Sequence, residues 1–580
     1  MIFESQYQIV TDTWQAFERN LCRLLLYEGF TNVRLVGQTG DHGADVTATR
    51  EGVQGKRKWL FQAKHWKKPV GEDVVQETIN AAYEYSASVP VIVSASGFEV
   101  SVKEHQKTLM TAGIPLQLWD SNKLVERAKK LPDTYINTKH PRPYQQPAID
   151  ELVRAFFGGE NKALAVMATG LGKTFVAAES IRRIRENSKG QVLVCAHTND
   201  LVYQLERAFW PFLKPSETTL IWNSYEHPTM EQLQNVDFAF ACVDSVASYI
   251  QSGKMLPEYK ILLIDECHHV GSSMYDKVFE ALSAGKIGGT FALGLTATPW
   301  RPDEVDLTDY FGYPRVSIDM VTGLKKGFLA NVDYRMFTDN IDWDALKNVQ
   351  GKSFTPKQIN RTLFINQWDD SVVYKLREAW REQTNPRAIV FCGTIEHAII
   401  MRDKINSLGF CNAAAIYSGA LGGNYESISQ YKRNRILSDF SEGVINVVCA
   451  VDIFNEGIDV PDVNILVFQR VTHSRRIFIQ QLGRGLRISE GKDKVIVLDF
   501  VSDIRRFAAG LSLKDSLLEH ERKSTRIDIP NKVTFMKVGG EDSETETFLR
   551  QWLDDVVAIE EADEDASILK FPPLLPGGKV

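Results

Sequence analysis

Apolar and polar positions divide this chain into stretches with different rhythms. From residue 141 to about 330, short apolar runs (VLVCAH, FAFACV, KILLIDE, FALGLTAT) recur between longer helical stretches. Apolar runs of this length fit strands buried on both faces, and the segments between them fit crossover helices, so the pattern predicts a parallel sheet. The rhythm returns at about 385–510 with AIVFCG, AAIYS, NVVCAV, ILVFQR and KVIVLDF. Residues 1–125 read as a separate α/β unit. WQAFERNLCRLLLYEGF puts Phe17, Leu21, Leu24 and Leu25 on one helical stripe ending near Gly29. Strands at 43–49 and 57–65, a helix near 73–86 and the strands PVIVSAS and IPLQLWD follow. The polar, proline-bearing stretch 128–143 marks a break. Near the end, Phe548, Trp552, Leu553, Val556 and Ile559 lie at helical spacing among acids, which predicts an acidic amphipathic helix over 545–562.

The expected fold class is therefore α/β. The expected organisation is an α/β domain at 1–127, a linker at 128–140, a first parallel-sheet domain at 141–330, a connector at 331–384, a second parallel-sheet domain at 385–525 and a small acidic extension at 526–580. A length of 580 residues allows three or four domains, each able to bury its own core.

Composition narrows the class. Hydrophobic residues at 44% and charged residues at 24% are ordinary for a soluble globular protein. No apolar run approaches the roughly 18 residues a membrane span needs, and MIFESQYQIV lacks the features of a signal peptide. Seven dispersed cysteines with no C-x-x-C pair fit reduced thiols, so the expected location is the cytoplasm, away from any membrane. The net charge of −7 is unevenly spread: residues 541–565 hold eleven acids against Arg550 alone, which leaves the rest of the chain at +3. Residues 51–68 hold six Lys/Arg and one acid. Such a strip can bind phosphates, or it can be a solvated face.

The chemistry begins at ALAVMATGLGKTF, a strand, a glycine-rich turn and a helix start. The turn must aim backbone N–H groups at phosphate oxygens where a Cβ would obstruct, which suits Gly170 and Gly172. Lys173 can neutralise the β and γ phosphates, and Thr174 offers its hydroxyl to Mg²⁺. Met167 stands where the general pattern has glycine. About 90 residues on, ILLIDECHH ends an apolar strand in two carboxylates. Asp265 is suited to hold Mg²⁺ through its water shell and Glu266 to polarise the attacking water. Cys267, His268 and His269 read as coupling residues in preference to metal ligands, because no second ligand cluster has matching spacing.

These motifs resemble the superfamily 2 helicases and translocases, in particular the DExH group shared by type I and III restriction motors (the ResIII family) and the XPB- and RadD-like proteins. The resemblance covers about 141–510 and implies two RecA-like domains. It implies that Arg142 and Gln145 of RPYQQPAI contact the adenine of ATP. It gives VLVCAHTNDLVYQ a strand-backbone contact and gives Thr296 and Thr298 of LGLTATP a coupling role. AIVFCGTIEHA is similar to motif IV. VDIFNEGIDVP implicates Gly457 and Asp459 in the ATP site, and QQLGRGLR implicates Gln480, Arg484 and Arg487. Arginines supplied by a separate domain would stabilise the γ-phosphate only when the cleft closes, so hydrolysis would drive a hinge motion along DNA.

The first domain holds GDHGADVTATREG and KRKWLFQAKHW. Gln62 and Lys64 stand at i and i+2 of one strand and face the same side, with Asp45 entering the strand before it. This set suits Mg²⁺-assisted phosphodiester cleavage: Asp45 would hold the metal, with Glu18 of the first helix as a further contact, and Lys64 would orient water or stabilise the phosphorane. The FE…LL…GF helix, the GDHGADV turn and the Q-A-K strand resemble the Mrr-like branch of the PD-(D/E)-x-K restriction endonucleases over roughly 10–115. Gln62 stands where the wider pattern has an acid, and Asp41 and His42 lie nearby.

A nuclease ahead of a translocase resembles the motor subunits of type I restriction enzymes. The expected cofactors are ATP and Mg²⁺, and the expected partner is DNA, double-stranded in the first instance. A partner subunit or further copies of the chain stay open. So do two rival functions: a repair helicase-nuclease, and an ATP-switched DNA sensor whose nuclease domain is catalytically dead.

Overall fold

The structure is a computed structural model. It describes residues 2–11, 13–36, 44–52, 55–136, 139–297, 306–318, 322–323, 326–338, 367–417, 428, 430–451, 463–469, 485–486, 488, 492, 494–500 and 532–537. Three sheets organise them.

The first sheet is five-stranded, in the order β1-β2-β3-β4-β5. Its strands are β1 (Thr31–Leu35), β2 (Val46–Gly52), β3 (Gly55–Lys64), β4 (Val89–Ser94) and β5 (Gln117–Trp119). The first three run antiparallel and the last three parallel, so the sheet is mixed. The helix Trp14–Tyr27 covers it; Thr13 caps the helix by accepting from the Ala16 N–H. Its apolar stripe of Phe17, Leu21, Leu24 and Leu25 is wholly buried, as the spacing predicts. The helix Asp73–Glu84 follows β3. β1 is a strand that the pattern of TNVRL does not announce: it is a short edge strand, exposed at its first two positions.

The second and third sheets have seven strands each, all paired in parallel. The second comprises β6 (Lys162–Met167), β7 (Val192–Ala196), β8 (Thr219–Trp222), β9 (Phe238–Cys242), β10 (Ile261–Ile264), β11 (Phe291–Thr296) and β12 (Pro314–Ile318), in the order β12-β6-β11-β10-β7-β9-β8. The third comprises β13 (Asn331–Thr338), β14 (Ala388–Phe391), β15 (Ala413–Tyr417), β16 (Val447–Val451), β17 (Ile465–Phe468), β18 (Lys494–Phe500) and β19 (Lys532–Lys537), in the order β15-β16-β14-β17-β18-β13-β19. The central strands are buried at every position, which is why their sequences read as unbroken apolar runs. β13 and β19 fall inside the segments set aside as connector and C-terminal extension and join the third sheet as neighbours. The acidic helix expected at 545–562 lies outside the described residues. No helix among the described residues is long and apolar enough to cross a membrane.

The first domain docks on the second through buried polar contacts. Arg19 donates to both carboxylate oxygens of Glu226, at 2.6 and 2.9 Å, and its Nε lies 3.1 Å from Glu206. Arg23 donates to the Lys214 carbonyl, and the Tyr27 hydroxyl lies 3.0 and 2.8 Å from the carbonyls of Trp210 and Leu213. Contacts to the third sheet's domain are lighter: Lys58 bonds Glu442 at 2.9 Å, and the Arg435 guanidinium lies 5.9 Å from the Tyr85 ring.

Candidate nucleotide site and candidate nuclease site

The glycine-rich turn links the end of β6 to the helix Lys173–Asn187. Gly170 and Gly172 have φ of +93° and +81°, the left-handed region that suits glycine. A Cβ on Gly172 would also meet Gln145 Nε2 at 2.6 Å. Met167 is the last residue of β6 and is fully buried, so an apolar side chain suits a position where the general motif has glycine. Gln145 sits beneath the turn: its Nε2 donates to the Leu171 carbonyl at 2.8 Å and its Oε1 accepts from the Arg142 N–H at 2.9 Å. Tyr144, which the motif did not single out, donates to the same carbonyl and stacks on Phe328 at 4.3 Å.

β10 delivers Asp265 and Glu266 beside that turn. The Asp265 N–H donates to the Cys195 carbonyl at 3.0 Å, so the two acids leave the sheet in fixed register. Glu266 has φ +48°, an uncommon conformation for a residue with a Cβ. Its Oε1 accepts from Lys173 Nζ at 2.8 Å, and its Oε2 lies 3.3 Å from His268 Nδ1. His268 Nδ1 is in turn 3.0 Å from Thr296 Oγ1, at the end of β11. A polar chain thus runs from Lys173 through Glu266 and His268 to Thr296, across three neighbouring strand ends. Burial, and then the charge of Glu266, push the Asp265 carboxyl up. Burial also acts against ionised Glu266, but Lys173 and His268 outweigh it and hold that carboxyl low.

Asp265 Oδ1 is buried with no hydrogen-bond partner among the described residues, and so is the Thr169 hydroxyl. An orphaned carboxylate oxygen beside a lysine and a glycine cradle fits a Mg²⁺–nucleotide site. Thr174 is the second residue of the following helix. No group of three or more His, Cys, Asp or Glu side chains placed to hold a metal ion occurs among the described residues. Thr298, Gly457, Asp459, Gln480, Arg484 and Arg487 lie outside the described residues. Ile488 is described, and its carbonyl accepts from Arg142 at 3.3 Å, so the second parallel-sheet domain reaches the segment that carries Arg142 and Gln145.

In the first domain, Val46 pairs with Phe61 in antiparallel register, and the Asp45 N–H donates to the Phe61 carbonyl at 3.0 Å. One residue further along that register brings Asp45 beside Gln62. Asp45 Oδ2 accepts from the Ala63 N–H at 2.5 Å. Gln62 is fully buried; its Oε1 meets the Thr78 hydroxyl, and its Nε2 has no partner among the described residues. Lys64 Nζ lies 3.4 Å from Glu77 Oε2 and 5.4 Å from the Trp66 ring. Glu18 is buried on the helix whose Phe17 ring packs 5.4 Å from His65, next to Lys64. Asp41 and His42 lie outside the described residues. Glu77 carries no motif of its own; its place in VVQET, one residue before the Thr78 that meets Gln62, was the available signal.

Three family models match: "Restriction endonuclease" over residues 10–128, "Type III restriction enzyme, res subunit" over 138–301, and "Helicase conserved C-terminal domain" over 371–489. The Type I restriction enzyme EcoAI endonuclease subunit of Escherichia coli is 28% identical over 399 residues, which cover 64% of this chain and 47% of that subunit. The chain thus spans about half the length of this relative. The DNA 3'-5' translocase XPB2 of Sulfurisphaera tokodaii is 23% identical over 62% of this chain and 80% of its own length. Among solved structures, the ATP-dependent Type ISP restriction-modification enzyme LlaBIII bound to DNA matches 95% of this chain and 42% of its own, with a TM-score of 0.52 and 16% identity, a likeness of fold. The chain carries an N-terminal restriction-endonuclease domain fused to the two domains of a restriction-type helicase, and it is homologous to the endonuclease subunits of type I restriction enzymes.

Proposed function

We propose that this chain is an ATP-driven DNA translocase that feeds double-stranded DNA to its own Mg²⁺-dependent nuclease and acts in restriction of foreign DNA. One observation carries the reading. The Lys173–Glu266–His268–Thr296 chain and the Asp45, Gln62 and Lys64 set occur in one polypeptide, and buried ion pairs join their domains. In the nucleotide site, phosphates compete with Glu266 for Lys173. Each exchange then changes what Glu266 offers His268 and Thr296, and so couples the site to the sheet edge. Arg484 and Arg487 are the cations proposed to complete this site, with Gln480, Gly457 and Asp459 from the same domain. Mg²⁺, when bound, supplies charge to offset the phosphates and to acidify water. Thr174 and Asp265 would hold it in the nucleotide site, and Asp45, with Glu18 as a proposed further contact, in the nuclease site.

The assay incubates linear, circular, nicked and modified duplex DNA with and without ATP and scores hydrolysis and cleavage together. Lys173→Ala is expected to abolish ATP turnover with an unchanged circular-dichroism spectrum. Asp45→Ala and Lys64→Ala are expected to abolish cleavage and leave DNA-stimulated turnover intact. Undiminished turnover in Lys173→Ala would sink the motor assignment. A second reading is favoured by one observation: the Gln62 amide is neutral and engaged by Thr78. In that reading the first domain binds DNA without cutting it and the motor acts as a sensor. Wild-type protein that hydrolyses ATP on DNA but cuts none of these substrates supports it.

A further inference from the structure

We infer that Glu77 is a further metal-facing residue of the nuclease site and supplies the second carboxylate that position 62 lacks. The inference rests on the nuclease reading above. Hydrolysis of a phosphodiester with Mg²⁺ asks for hard anionic oxygens beside the lysine, and one or two carboxylates together with substrate phosphates and water satisfy the ion. Asp45 provides one. Gln62 provides no charge and is drawn back into the domain, since it is fully buried and its amide oxygen meets the Thr78 hydroxyl.

The same contact fixes what comes next. Thr78 sits on the helix Asp73–Glu84, so its contact with Gln62 ties this helix to the strand that carries Gln62 and Lys64. The residue before Thr78 is Glu77, and its Oε2 lies 3.4 Å from Lys64 Nζ. Glu77 is a partly exposed carboxylate, 40% accessible at its side chain, against 18% for Lys64. It therefore stands on the open side of the lysine, where a phosphate and an ion can reach it. The buried amide and the accessible acid come from opposite sides of one strand–helix contact. The helix restores to the site the charge that the strand omits.

The test uses the full chain without nucleotide. Free Mn²⁺ is measured by electron paramagnetic resonance during titration of the wild type, Glu77→Gln and the double variant Gln62→Glu/Glu77→Gln, each also assayed for DNA cleavage. DNA-stimulated ATP turnover serves as the folding control and is expected to be unchanged. Glu77→Gln is expected to weaken Mn²⁺ binding and slow cleavage by roughly 10–100-fold. The double variant, which moves the carboxylate to the strand, is expected to regain part of both. Wild-type affinity and cleavage in Glu77→Gln would overturn the inference. If the wild type itself cuts nothing, the nuclease reading fails, and Mn²⁺ affinity alone decides the role of Glu77: weaker binding supports it and unchanged binding overturns it.

Discussion

Gly172 shows how a single position can be fixed twice. Its φ of +81° favours glycine, and an added Cβ would also meet Gln145 Nε2 at 2.6 Å. Gly172→Ala should cost about 1–2 kcal/mol in backbone strain alone and should displace Gln145 from the Leu171 carbonyl. Nucleotide affinity, measured with a fluorescent ATP analogue, is expected to fall at least tenfold, and Gly172→Ala/Gln145→Ala to recover only the part due to the clash. Wild-type affinity in the single variant would mean that the turn tolerates a side chain. At this scale much was legible in the sequence. Phosphate and metal chemistry admits few residue types, so Gly170, Gly172, Lys173, Asp265 and Glu266 announce themselves by type and spacing. Gln62 and Lys64 do so more weakly, since i, i+2 pairs are common in strands. Glu77 stayed hidden because its role depends on a helix–strand contact that no local spacing encodes.

The helix Trp14–Tyr27 carries two faces, only one of which reads in the pattern. Phe17, Leu21, Leu24 and Leu25 form the apolar stripe, and Arg19, Arg23 and Tyr27, four residues apart, form a polar stripe. A polar stripe of this kind ordinarily meets water, yet this one is buried against the second sheet's domain, with partners as far as 207 residues away in the chain. Burial alone would disfavour charged Arg19, but Glu206 and Glu226 more than compensate, and its guanidinium is held more basic than usual. Arg19→Ala leaves two buried carboxylates without their cation, with only the Tyr203 and Thr219 hydroxyls as side-chain donors among the described residues, and is expected to cost about 3–5 kcal/mol. The readout is the melting temperature together with the rate of proteolytic cutting between the first two domains. Arg19→Met with Glu206→Gln and Glu226→Gln removes all three charges and should recover much of the loss. An unchanged melting temperature in Arg19→Ala would show that the docking does not depend on this network. The strands missed in the sequence are β1, β8, β12, β13 and β19. Four of them, β1, β8, β12 and β19, end their sheets, where one flank is not enclosed and the apolar run shortens or is interrupted, whereas β13 is paired on both flanks and its run NVDYRMFT is broken by polar residues.

The two kinds of interdomain contact differ in burial, and that difference predicts which parts of the molecule move together. The first domain meets the second through a buried network whose ionic side chains are at most 10% exposed. It meets the third sheet's domain through Lys58 and Glu442, 22% and 42% exposed, and through the Tyr85–Arg435 contact. An exposed pair of that kind contributes about 0.2–1 kcal/mol and weakens with salt, whereas breaking the buried network costs several times more. A nucleotide that draws the two parallel-sheet domains together should therefore slide the third domain past the nuclease and leave the nuclease fixed on the second. Tyr83, Ile287 and Val444 are exposed reporters, one on each of the three domains. Six of the seven native cysteines are buried, so cysteines at two of these positions can be labelled for energy transfer. Adding a non-hydrolysable ATP analogue and duplex DNA is expected to change the transfer between positions 83 and 444 and leave that between 83 and 287 constant. Raising the salt should loosen the 83–444 distance without nucleotide, because only that contact is screened. A change at 83–287 equal to that at 83–444 would mean that the nuclease detaches from the second domain during the cycle, and that the Arg19 network does not set the moving unit.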